Sequence, residues 1–157
     1  MPRHSILRYV WPLVLLAAAC APAAQPPDAL QASPSPAGEW TIKLTQSGGF
    51  AGVMLTVQVS SDGRLVAENQ HAGSSVTKTL PTETTAQIGR YYAQVLQATP
   101  IVPRSGCADC FLYRLEFTSA GRGAHIEADD TTLGASGAAD LIRLLQQLRD
   151  EALRAGA

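Results

Sequence analysis

The feature that most limits what this chain can fold into is a two-residue alternation of apolar and polar side chains. Phe111, Tyr113, Leu115 and Phe117 alternate with Leu112, Arg114, Glu116 and Thr118. An extended segment with that spacing has one aromatic and aliphatic face and one largely polar face, which is a half-buried strand. The pattern occurs twice more. Trp40, Ile42 and Leu44 alternate with Thr41, Lys43 and Thr45, and Val53, Leu55, Val57 and Val59 alternate with Met54, Thr56, Gln58 and Ser60. Ser61-Asp62-Gly63 then reads as a hairpin turn, because Asp-Gly supplies the positive φ that tight hairpins need. A third strand follows from Arg64 to Asn69, then a turn through Gln70 to Ser75, and a short fourth strand from Val76 to Leu80. Gly121-Arg122-Gly123 turns the Phe111 strand into a shorter one, where His125 and Glu127 alternate with Ala124, Ile126 and Ala128. Asp129-Asp130 ends it and reads as a solvated turn.

Two segments change period from two to 3.6. Pro81 suits the first position of a helix, where its missing N–H costs nothing, and Glu83 in the first turn meets the positive end of the helix dipole. Ile88, Tyr91, Tyr92, Val95 and Leu96 form one apolar stripe, and Thr99-Pro100 stops the helix. Ile101 to Gly106 is a loop. In the last segment Leu141, Leu144, Leu145, Leu148 and Ala152 line one side, Arg143, Gln147, Asp150, Glu151 and Arg154 the other, with Ser136 expected as N-cap. Strands joined by turns make a mostly antiparallel sheet. The expected fold is therefore α+β: a sheet of about five to six strands with two helices packed on one face.

The segment before the first strand has a different character. Arg3, His4 and Arg8 precede an apolar run from Tyr9 to Ala19. That run falls short of the ~20 residues that span a bilayer and fits a secretory signal core. Leu16-Ala17-Ala18-Ala19-Cys20 looks like a bacterial lipobox, with Ala17 where such motifs usually carry Leu. This predicts a signal peptide over 1–19 and lipidation of Cys20, against ordinary cleavage beside a free cysteine. Residues 20–38 carry Pro22, Pro26, Pro27, Pro34 and Pro36 among Ala, Gln and Ser, a composition that cannot bury a core. As a polyproline tether it reaches on the order of 50 Å. The folded domain is expected over 39–157, extracytoplasmic and lipid-anchored in a bacterial envelope. Ala21 lacks the Asp of an inner-membrane retention signal, so the outer membrane is favoured where there is one.

Chemistry-bearing groups are few. The net charge is −1, with no basic excess to suggest nucleic acid. There is no nucleophile elbow, no His-Glu-x-x-His and no phosphate-binding glycine loop, and no catalytic residue or cofactor is assigned. With Cys20 lipidated, Cys107 and Cys110 are left in an oxidising compartment, where pairing is expected. The competing readings are a redox-active thiol pair and a zinc site completed by His71 and His125. Both fit poorly, because no helix begins at the cysteines and the histidines are isolated. One stretch leaves a bland and a functional account open. Ser47-Gly48-Gly49-Phe50-Ala51-Gly52 carries an aromatic on three glycines between two strands. It is either a hairpin whose Phe50 tucks into the core or a contact surface with Phe50 as its anchor.

That block, following a first strand, resembles the signature of the emfourin family, proteinaceous inhibitors of the thermolysin-like metalloprotease protealysin. A second block is similar to the family's distal half: Asp109, then Phe111, Tyr113 and Leu115, then His125-Ile126 and Asp129-Asp130, then the leucine-rich final helix. The likeness runs from about Trp40 to about Leu153. Cys107 and Cys110, the signal and the tether are departures from it. The resemblance implies a non-enzymatic inhibitor of thermolysin-like zinc metalloproteases that itself needs no metal. Ser47, Gly48, Gly49, Phe50, Ala51 and Gly52 would form the protease contact, with Asp109 as a second one. The alternative is a non-inhibitory lipoprotein binding or envelope module on the same fold.

Overall fold

The computed structural model describes residues 38–97 and 106–156. The expected signal segment, the expected lipidation site Cys20, the expected tether up to residue 37 and the expected helix stop at Thr99-Pro100 lie outside the described residues. The elements in chain order are β1 (Trp40–Gly48), β2 (Val53–Ser60), β3 (Arg64–Asn69), β4 (Ser74–Thr79), α1 (Thr82–Gln97), β5 (Phe111–Ser119), β6 (Arg122–Asp129), a single 3-10 turn (Leu133–Ala135) and α2 (Ala139–Ala155). The six strands form one sheet in the order β4-β3-β2-β1-β5-β6, and every neighbouring pair is antiparallel. The fold is α+β.

The register explains why the alternation had to be so regular. Leu44 stands opposite Val57 on one side and Leu115 on the other, Val57 opposite Ala67, and Leu115 opposite Ile126. One row across the sheet is thus wholly apolar, and a slip of one residue would turn all of it to solvent. Both helices cover this face. Tyr92 of α1 stacks on Phe117 with ring centroids 5.0 Å apart and lies 6.2 Å from the ring of Trp40. Leu141, Ile142, Leu145 and Ala152 of α2 are buried in the same cluster. The opposite face stays polar. Thr56 donates to Glu68 (3.1 Å), and Arg114 pairs with Glu116 and Glu127 (both 3.2 Å). These last pairs are half-exposed and stabilise little.

Five local expectations are corrected. Ser136 does not cap α2. Its Oγ donates to the Leu133 carbonyl (2.7 Å) and accepts from the Ala138 amide (3.1 Å), so it closes the 3-10 turn. Gly137, at φ +69°, separates that turn from the helix, and Ala138 takes the cap position. The β5–β6 turn is not centred on Gly121-Arg122-Gly123. Ser119 pairs with Arg122, so the turn residues are Ala120 and Gly121, at φ +48° and +75°. Leu96 leaves the apolar stripe of α1 and is 53% exposed. Pro81 sits one residue before α1, its carbonyl accepting the Thr85 amide (3.1 Å), and β4 begins and ends slightly earlier than Val76 to Leu80.

Candidate functional site

β1 extends to Gly48 and pairs with β2 through Val53. Ser47 and Gly48 are therefore strand residues, and the loop proper is Gly49-Phe50-Ala51-Gly52. Its core-tucked reading is overturned: Phe50 is 100% exposed. The reason lies in the glycines beneath it. Gly48 and Gly49 have φ of +92° and +68°, a region that L side chains rarely enter. A Cβ on Gly48 would lie 2.8 Å from the Cys110 carbonyl oxygen, and one on Gly49 would lie 2.6 Å from Cε1 of Phe111. The backbone thus rests directly on β5, and Phe111 occupies the apolar space that Phe50 would have to enter. The Gly52 amide closes the loop onto the Gly49 carbonyl (3.0 Å).

The second expected contact comes to the same end of the sheet. Ser47 is opposite Leu112, Gly48 is opposite Phe111, and the Gly49 amide donates to the Cys110 carbonyl (3.2 Å). Asp109 stands just before this junction, exposed, inside the turn closed by a disulfide between Cys107 and Cys110 with Cα atoms 5.5 Å apart. Ser47, Gly48, Gly49, Phe50, Ala51, Gly52 and Asp109 thus lie at the same end of the sheet. The two sulfurs are bonded to each other, as pairing predicts. Among the described residues, no group of three or more His, Cys, Asp or Glu side chains is arranged to hold a metal ion. His125 is exposed on the polar face of β6, opposite Glu116.

Three supporting features were not expected. The Asp129-Asp130 pair is a solvated turn only at Asp130, which is exposed. Asp129 is fully buried. Its Oδ1 accepts the amides of Thr131 and Thr132 (both 3.0 Å) and their hydroxyls (2.6 and 3.0 Å), an Asx-type arrangement that the Asp-Asp-Thr-Thr run makes legible in retrospect. Asp130 accepts the Phe111 amide at Oδ2 (2.8 Å) and the Tyr113 hydroxyl at Oδ1 (2.7 Å). Beside it, Gln46 Oε1 accepts from Gln146 Nε2 (3.1 Å) and from Nη1 of the buried Arg149 (2.9 Å), whose Nε donates to Asp150 (2.8 Å). Burial first, and then the bond to and charge of Asp130, push the Tyr113 hydroxyl up to about 12. Gln146 and the Arg149 cation oppose that shift.

Comparison of the chain with protein-family models gives no match, and neither does comparison with curated proteins. Among the described residues no helix is long and apolar enough to cross a membrane.

Proposed function

We propose that this domain is a protein inhibitor of thermolysin-like zinc metalloproteases, held in the bacterial envelope by a lipid on Cys20, and that the Phe50 hairpin is its contact. The observation that carries the reading is the complete exposure of Phe50 on a backbone packed against β5. A large apolar side chain in water on a supported loop has no folding role, and such side chains are typical anchors of protein interfaces. The resemblance to emfourin supplies the partner class. Enzymes of that class favour a large apolar residue just after the scissile bond, and Phe50 suits such a pocket. Inhibition then means filling the cleft without presenting a cleavable bond in register with the zinc-bound water. Asp109, exposed beside the loop, is the second contact.

The test is direct. The full chain in detergent is added in stoichiometric excess to several thermolysin-like proteases, and hydrolysis of a peptide substrate is followed. Slowed hydrolysis of at least one supports the reading. Unchanged hydrolysis of all of them, with a non-protease partner recovered on the same domain, replaces it with a binding module.

A further inference from the structure

We propose that the Cys107–Cys110 disulfide and Asp130 form a clamp that fixes the position of the Phe50 loop, so that reducing the disulfide disengages the contact surface while the domain stays folded. The partner side of this statement rests on the inhibitor reading; the clamp itself does not.

The contacts form a continuous chain. Asp130 holds β5 at its first turn through the Phe111 amide (2.8 Å) and the Tyr113 hydroxyl (2.7 Å). The Phe111 ring lies directly under Gly49, and the preceding Cys110 carbonyl accepts the Gly49 amide (3.2 Å). Cys110 is in turn tied to Cys107. Phe50 follows Gly49 with no contact of its own to the core. Its place in space is therefore set by Cys110 and Phe111, and theirs by the disulfide and Asp130.

The location of the disulfide makes this constraint local. Cys107 is exposed and Cys110 half-buried, and neither belongs to the core cluster under the helices. Opening the bond leaves the apolar rows of the sheet intact and frees the turn that presents the Cys110 carbonyl. The reaction needs a dithiol reductant. A thiolate of the reductant attacks one cysteine sulfur and forms a mixed disulfide, and its second thiol displaces the protein sulfur. Two electrons and two protons pass to Cys107 and Cys110, and the reductant leaves as its cyclic disulfide. The exposure of Cys107 gives the attacking thiolate access.

Amide exchange of the full chain in detergent, read by mass spectrometry before and after dithiothreitol, tests the clamp without any protease. Reduction is expected to speed exchange at Gly49 by about tenfold, the effect of losing one ordinary hydrogen bond, with peptides from the centre of β1 and from α2 unchanged. Cys107→Ser with Cys110→Ser is expected to reproduce this, and Asp130→Asn to give a smaller shift in the same direction. Because dithiols strip zinc from metalloproteases, inhibition is compared using the serine variant alone, with about tenfold weaker inhibition expected. Unchanged exchange at Gly49 on reduction overturns the clamp, and so does loss of protection throughout the domain, which would make the disulfide a support of the fold. An unchanged Gly49 in Asp130→Asn removes that residue from the clamp. If the oxidised wild-type chain inhibits no protease, the inhibitor reading fails and the exchange result alone decides the clamp.

Discussion

At the scale of single residues, exposure and support are divided between neighbours. Phe50 makes no contribution to the core, whereas Gly49 beneath it has no room for a Cβ against Phe111. Phe50→Ala is therefore expected to leave the melting temperature unchanged and, on the proposed function, to weaken protease binding by roughly 2–4 kcal/mol, the range of a central aromatic anchor. Inhibition titrations beside a thermal melt check both halves. Tyr113 gives a prediction that needs no partner. Its hydroxyl is pushed up to about 12 from an unfolded value near 10, so folding favours the protonated form. The contribution is fully present below about pH 10 and is lost as pH rises through 12. Tyr113 should gain its tyrosinate absorbance only near that upper limit in the folded state. In Tyr113→Phe that late step should be missing.

At the scale of elements, two joints carry more than their sequences suggest. The first is β1 to α2, where Gln46 meets the buried Arg149. Gln46→Leu removes an acceptor from a buried guanidinium and is expected to destabilise the domain by about 1–3 kcal/mol. In an Arg149→Met background the same change should cost much less, and a double-mutant cycle in urea measures the difference. The second joint is the β5–β6 turn, where Ala120 sits at φ +48°, a conformation that costs a non-glycine residue roughly 1–2 kcal/mol. Ala120→Gly relieves that strain. Against the greater chain entropy of glycine, a net gain of about 0.5 kcal/mol is expected, visible as a higher urea midpoint with an unchanged slope. The central strands β1, β2 and β5 were legible because each repeats its period through several buried positions. These joints were not, since a glutamine, an arginine and an alanine have no pattern of their own and acquire a role only from what faces them.

At the scale of the whole molecule, β1 joins two ends with different tasks. The chain enters the sheet at Trp40, beside the ring of Tyr92, and reaches the Phe50 hairpin at the far end of the same strand, roughly 26 Å away at the usual rise. On the proposed function, a lipid on Cys20 holds the chain to the membrane. Cys20→Ser is expected to move the full chain from the detergent phase to the aqueous phase on detergent partitioning, because the anchoring acyl methylenes contribute about 0.8 kcal/mol each. The thermal stability of the folded domain should not change.

The sequence by itself determined the sheet, the two helices, their common face and the turn at Asp62-Gly63, because periodicity and turn chemistry are local and repeat. It brought Ser47 to Gly52 into view as a loop with two possible fates, and it offered Asp109 as a second contact that neither spacing nor family likeness fixed. Only the tertiary structure decided between the fates. Phe50 is outside because Phe111, distant in sequence and adjacent across the β1–β5 register, fills the space beneath Gly49. The same is true of Asp130. Its carboxylate stays at the surface, but it holds the strand that supports the loop only once the end of β6 is laid beside the start of β5, whereas Asp129 accepts from Thr131 and Thr132 next to it in the chain. Whether a side chain meets water or a neighbour depends on contacts between elements far apart in the chain, and those exist only once the strands are paired.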